Sequence, residues 1–130
     1  MRKDVKKLQD AVGRVVSAVD VEVLFHGVGT KGEVGAILIN FADCGQFAMT
    51  CAGDGGVFVS RSRTTTGSAP GFVNKRRTLA ALCGELRAVS FPPRALRLQI
   101  DEHDLLLVNE YDELSVTVDR KPLPPEILSR

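Results

Sequence analysis

Residues 34–59 read VGAILINFADCGQFAMTCAGDGGVFV, and this stretch decides the fold class. Val34-Gly35-Ala36-Ile37-Leu38-Ile39 is a short continuous apolar run of the kind a deeply buried strand carries. A turn over Ala42-Asp43-Cys44-Gly45 leads into Phe47, Met49 and Cys51, which alternate with smaller or polar residues. Gly53-Asp54-Gly55-Gly56 is a hairpin signal, because adjacent glycines supply the positive φ angles that tight turns need. Val57-Phe58-Val59 then returns as the next strand.

Upstream, Val21, Val23 and Phe25 alternate with Glu22 and His26, and Gly29-Thr30-Lys31-Gly32 separates them from the apolar run. Four strands joined by short turns imply an antiparallel meander. Farther upstream, Val5, Leu8, Val12, Val16 and Val19 recur at spacings of three or four, which predicts an amphipathic helix. Downstream, the segment 62–74, rich in Ser, Thr, Gly and Pro, reads as a long loop. A second helix is predicted from about Asn74 or Thr78 to Val89, with Leu79, Leu82, Cys83 and Leu86 on its apolar face and Pro92-Pro93 ending it. Three more strands follow, through Leu96–Ile100, Leu105–Val108 and Leu114–Val118.

The expected fold class is therefore α+β: a mainly antiparallel sheet of order α-ββββ-α-βββ with two helices packed on one face. A partly closed barrel plugged by the helices is the alternative. Residues 1–120 form the expected single domain, and 121–130 a Pro-rich C-terminal tail. This order of elements is similar to that of small effector chaperones of bacterial secretion systems and of some toxin-immunity proteins, a likeness of architecture without a shared motif.

Composition narrows the function classes. The 130 residues are 44% hydrophobic and 25% charged, with 17 Lys plus Arg against 16 Asp plus Glu. A formal charge of +1 lacks the basic surplus that coats a phosphate backbone, so nucleic acid is disfavoured as the main partner. The three cysteines, Cys44, Cys51 and Cys83, have no ligand spacing and are expected to be reduced, with Cys51 and Cys83 in or near the core. The N-terminus lacks a secretory pattern and the longest apolar run is too short to span a bilayer, so the expected location is cytoplasmic.

One local feature points to binding. Arg61 and Arg63 lead into the 62–74 loop, and Lys75, Arg76 and Arg77 leave it at the predicted start of the second helix. Cations at a helix N-terminus oppose its dipole unless they meet an anion. These five residues are the candidate anion- or partner-binding site. Gly53-Asp54-Gly55-Gly56 and Asp101-Glu102-His103-Asp104 read as turns, not metal sites. Cys44 with His26 or His103 is the only cast for a thiol nucleophile, and no local pattern supports it. No catalytic residue, metal or cofactor is assigned. The expected function is a non-enzymatic interaction module of the small chaperone, immunity or adaptor type. It would bind another protein, or a second copy of itself, through a sheet edge or the basic 61–77 loop. A phosphorylated small ligand or nucleic acid at Arg61–Arg77 is the alternative.

Overall fold

The computed structural model describes residues 4–61 and 71–130. It contains one short α-helix, α1 (Val5–Asp10), and ten strands: β1 (Val15–His26), β2 (Glu33–Phe41), β3 (Gly45–Cys51), β4 (Val57–Ser60), β5 (Phe72–Thr78), β6 (Gly84–Ser90), β7 (Ala95–Ile100), β8 (His103–Glu110), β9 (Glu113–Val118) and β10 (Lys121–Pro122). The strands join in a single antiparallel sheet ordered β10-β9-β8-β7-β6-β1-β2-β3-β4. The fifth strand sits off this path, paired to β1.

β1 organises the sheet. One of its edges carries β2 along nearly its whole length. The other edge is shared: Val15 and Val16 pair with β6, while Asp20 to His26 pair with β5. The two wings of the sheet fold toward each other, with β9 against β2 and β3 and β8 against β4. Between them lies one core built on Phe25, Ile37, Ile39, Phe47, Met49, Leu98 and Leu107. Leu8 of α1 is buried in the same core.

The α+β expectation of two helices on one face is overturned, and with it the likeness to small chaperones and immunity proteins that rested on that order. Among the described residues no helix plugs a barrel, and the end strands β4 and β10 do not pair with each other. The four-strand meander and the three C-terminal strands stand where the alternation placed them.

Both helix errors come from interruptions of the strand period. In a flat strand, buried positions recur every second residue, but a β-bulge inserts one residue and moves the next buried position to i+3. β1 shifts register between Val16 and Ala18 in its pairing with β2, so Val16 and Val19 are both buried three residues apart. β6 shifts between Leu86 and Ala88, which puts Leu86 and Val89 on one side. Helical spacing was thus reproduced by the bulge in β1 and, for Leu79, Leu82 and Leu86, by the turn that joins β5 to β6. The valines at 15, 16, 19, 21 and 23 favour the strand outcome, because β-branched side chains are stiff in a helix and pack well on a pleated sheet. α1 stops at Asp10, and Gly13 (φ +97°) turns the chain into β1, leaving Val12 exposed. Likewise Leu82 is buried but Cys83, on the turn between β5 and β6, is exposed, against the expectation of a core thiol.

Type I′ turns close the last two hairpins. Tyr111-Asp112 and Asp119-Arg120 all have positive φ, as this turn demands at both central positions. Beyond β10, a 3₁₀ turn over Pro125–Ile127 carries the segment 121–130 back toward residues 27–32.

Candidate interaction edge

β5 is the strand that the sequence reading took for the start of a helix. Lys75, Arg76 and Arg77 therefore lie on an extended edge, where no helix dipole acts on them. Arg61 follows β4, at the opposite end of the run β4-β3-β2-β1-β5. Its backbone N–H donates to Asp4 Oδ2 at 2.5 Å, and its guanidinium lies 5.0 Å from the centre of the Phe47 ring. Arg63 lies outside the described residues.

Even the three adjacent cations diverge, because successive side chains on a strand point to opposite faces. Arg76 shares a face with its cross-strand neighbour Glu22; its guanidinium is 3.7 Å from Glu22 Oε2 and 4.0 Å from Asp20 Oδ2. Arg77 turns to the other face. Its Nη1 donates to the carbonyls of Glu126, Ile127 and Ser129 at 2.7, 3.0 and 2.5 Å, and the group lies 5.7 Å from the Phe25 ring centre. Lys75 is exposed on that same face.

Around Arg76 a polar ladder crosses four strands. Gln46 Nε2 donates to Asn40 Oδ1 (2.7 Å), Asn40 Nδ2 to Asp20 Oδ2 (3.2 Å), and Thr78 Oγ1 to Asp20 Oδ1 (2.7 Å). Its acids are buried, Asp20 being 9% exposed and Glu22 1%. They stand opposite Leu38 and Ala36, part of a small apolar cluster with Ala48. The sequence does carry a signal for these two acids: Asp20 and Glu22 alternate with valines, which puts both on one face. Their burial, and Arg76 as their neighbour, needed the β1–β5 register.

That register also defines a binding edge. Backbone bonds run from Leu79 N to Val19 O (2.8 Å) and from Gly27 N to Gly71 O (2.5 Å), at the two ends of the β1–β5 ladder. Both fit the single register Asp20↔Thr78 through His26↔Phe72. In an antiparallel pair every second residue directs its N–H and C=O to its partner, so 73, 75 and 77 bond to β1. The main-chain groups of Phe72, Asn74, Arg76 and Thr78 then face away from β1. Among the described residues β5 pairs with no strand other than β1, so no second strand takes up these groups. The side-chain Nδ2 of Asn74 is also buried without an acceptor.

The two end strands of the sheet are blunted. β4 is four residues long, and beyond it the outward N–H of Arg61 is occupied by Asp4. β10 is two residues long and contains Pro122.

Family models, curated proteins and solved structures yield no match to this chain.

Chemistry elsewhere is not poised for a thiol reaction. Burial, then the carboxylate of Asp43, raises the pKa of Cys44, which is the reverse of an activated nucleophile. Burial, followed by Asp112 and Glu113, raises that of Cys51. His26 packs on Phe72 with ring centres 4.1 Å apart, and His103 Nδ1 lies 2.8 Å from Asp119 Oδ2. Among the described residues no group of three or more His, Cys, Asp or Glu side chains is placed to hold a metal. No described helix is long and apolar enough to cross a membrane.

Proposed function

We propose that this domain is a non-enzymatic protein-interaction module that accepts an extended segment of a partner protein as an added strand on β5. The observation that carries the reading is the seven-residue edge whose main-chain groups at 72, 74, 76 and 78 turn away from β1. Unpaired strand edges are the sites of β-augmentation, where main-chain hydrogen bonds supply affinity and alternate side chains supply specificity. Pairing of β5 with β5 of a second copy would be the self-association form of the same chemistry. Three unpaired thiols fit a reducing compartment, and the cytoplasm is the proposed location.

Proline at position 74 tests the reading. It deletes an N–H that faces outward, so the β1–β5 ladder keeps its bonds while the edge loses a donor. Proteins captured by wild type and by Asn74→Pro from cells of the source organism are quantified by mass spectrometry, with melting curves confirming that both variants fold. The expected result is a partner set, or a dimer in size-exclusion chromatography, that the proline variant loses. Retention of the same partners at the same level by a folded Asn74→Pro variant rules the edge out.

A further inference from the structure

We infer that the cleft between the C-terminal segment and the β1–β2 connection is a binding site for a small amphipathic anion, an apolar chain ending in a carboxylate. The cleft encloses about 730 Å³, inside the range of about 300–1,000 Å³ typical of small-molecule sites. Its apolar lining comes from Leu123, Pro125 and Leu128. Its charged side chains are Lys31 and Arg130, and no acidic side chain lines it.

The walls are held in place. Gly32 N donates to Leu128 O (2.7 Å), Arg130 N donates to Thr30 O (2.9 Å), and a β-bridge links Lys31 and Ser129. The Arg130 guanidinium donates through Nη1 to the carbonyls of Gly27 and Gly29 and lies 5.6 Å from the Phe25 ring centre. Arg77 clamps the segment from its other side through the three carbonyls described above. The Arg130 guanidinium meets carbonyls and a ring, and neither it nor Lys31 has an ion pair among the described residues. Two cations with charge to spare thus stand over an apolar floor.

A neighbouring cleft sets the sign. It also borders Lys31, Leu123 and Leu128, but its other charged groups include Glu33, Asp112 and Glu113. An apolar anion is repelled there and attracted beside Arg130. A cation of the same shape has the opposite preference. No lining residue of the site belongs to β5, whose Arg77 touches only the outer side of the C-terminal segment.

The test is an amide NMR titration of the full chain with octanoate, run beside octyltrimethylammonium. Octanoate should shift the amides of residues 30–31, 123 and 128–130 and spare those of 112–114. Lys31→Glu should weaken binding about tenfold, the scale expected when an exposed ion pair becomes a repulsion. Lys31 is exposed, so this variant should fold; Lys31→Gln gives a milder second measurement in the same direction. The proposal is overturned if octanoate shifts nothing at 123–130, or if its effects centre on 112–114. It is equally overturned if the ammonium analogue binds the same residues as well, or if both Lys31 variants bind octanoate like wild type.

Discussion

Asn109 is the polar residue on which the packing of two hairpins turns. It is 2% exposed, sits near the end of β8, and reaches across to the β3–β4 connection. Its Nδ2 donates to Gly56 O (2.8 Å) and Ala52 O (3.2 Å), while its Oδ1 accepts from Asp112 N (2.9 Å). Asn109→Ala deletes all three bonds. A neutral hydrogen bond contributes about 0.5–1.5 kcal/mol net, and a buried group left unpaired costs about 1–3 kcal/mol, so the expected loss is about 2–4 kcal/mol. For a chain of this length that lowers the melting midpoint by roughly 10 °C. Asn109→Asp separates donor from acceptor: the bond from Asp112 N survives, but an anion now faces two carbonyls. The variant's folded-state pKa is then raised above its unfolded value. Its deficit should be full at neutral pH and shrink as pH falls and the carboxyl takes up a proton. Urea denaturation followed by circular dichroism measures both effects. If Asn109→Ala stays within about 0.5 kcal/mol of wild type, the range of an ordinary surface change, the three bonds do not hold the hairpins.

Two further outcomes are expected. The paired bonds from Arg97 (2.9 and 2.8 Å) hold the Asp104 carboxyl below its usual range, and His103 followed by the Asp104 N–H does the same for Asp119. Folded-state values beneath the unfolded ones mean that this stabilisation is complete above about pH 4 and fades as pH falls further; acid titration of stability should show that limb, and Asp104→Asn should flatten it. Iodoacetamide at neutral pH should label exposed Cys83 before Cys44 and Cys51, whose thiols burial pushes up. Fastest labelling at Cys44, read by peptide mass spectrometry, would contradict its assignment as an inert thiol.

The sequence was legible where strand period and turn chemistry agreed. Phe47, Met49 and Cys51 alternate without interruption, Gly53-Asp54-Gly55-Gly56 closes the hairpin after them, and Leu96, Leu98 and Ile100 repeat the pattern. It misled where a bulge or a turn broke the period: Val16 with Val19 satisfies a helical spacing across a bulge, and Leu79, Leu82 and Leu86 do so across the turn between β5 and β6. The basic run of the candidate site diverges for a related reason. Lys75, Arg76 and Arg77 look like one basic cluster only if the chain is helical or loose. On a strand, Arg76 goes to Asp20 and Glu22 while Arg77 goes to the C-terminal segment. The meeting of Lys31 with Arg130 has no local signature, because it depends on how a tail nearly one hundred residues away is pinned, through Arg130 Nη1 and the Gly29 carbonyl.

The shared edge of β1 has a consequence for the order of events during synthesis. β1 can pair with β2 as soon as the first hairpin emerges, but its second edge waits for residues 72–78 and 84–85, far along the chain. Such non-local pairing is slow to form, and an uncovered strand edge invites association with other chains in the interval. The segment at risk is a valine-rich run, Val15-Val16-Ser17-Ala18-Val19-Asp20-Val21-Glu22-Val23. Asp20 and Glu22 interrupt it with two negative charges, the device by which aggregation-prone strands are kept apart. The same acids that later face Thr78 and Arg76 in the finished sheet guard the nascent chain until β5 arrives.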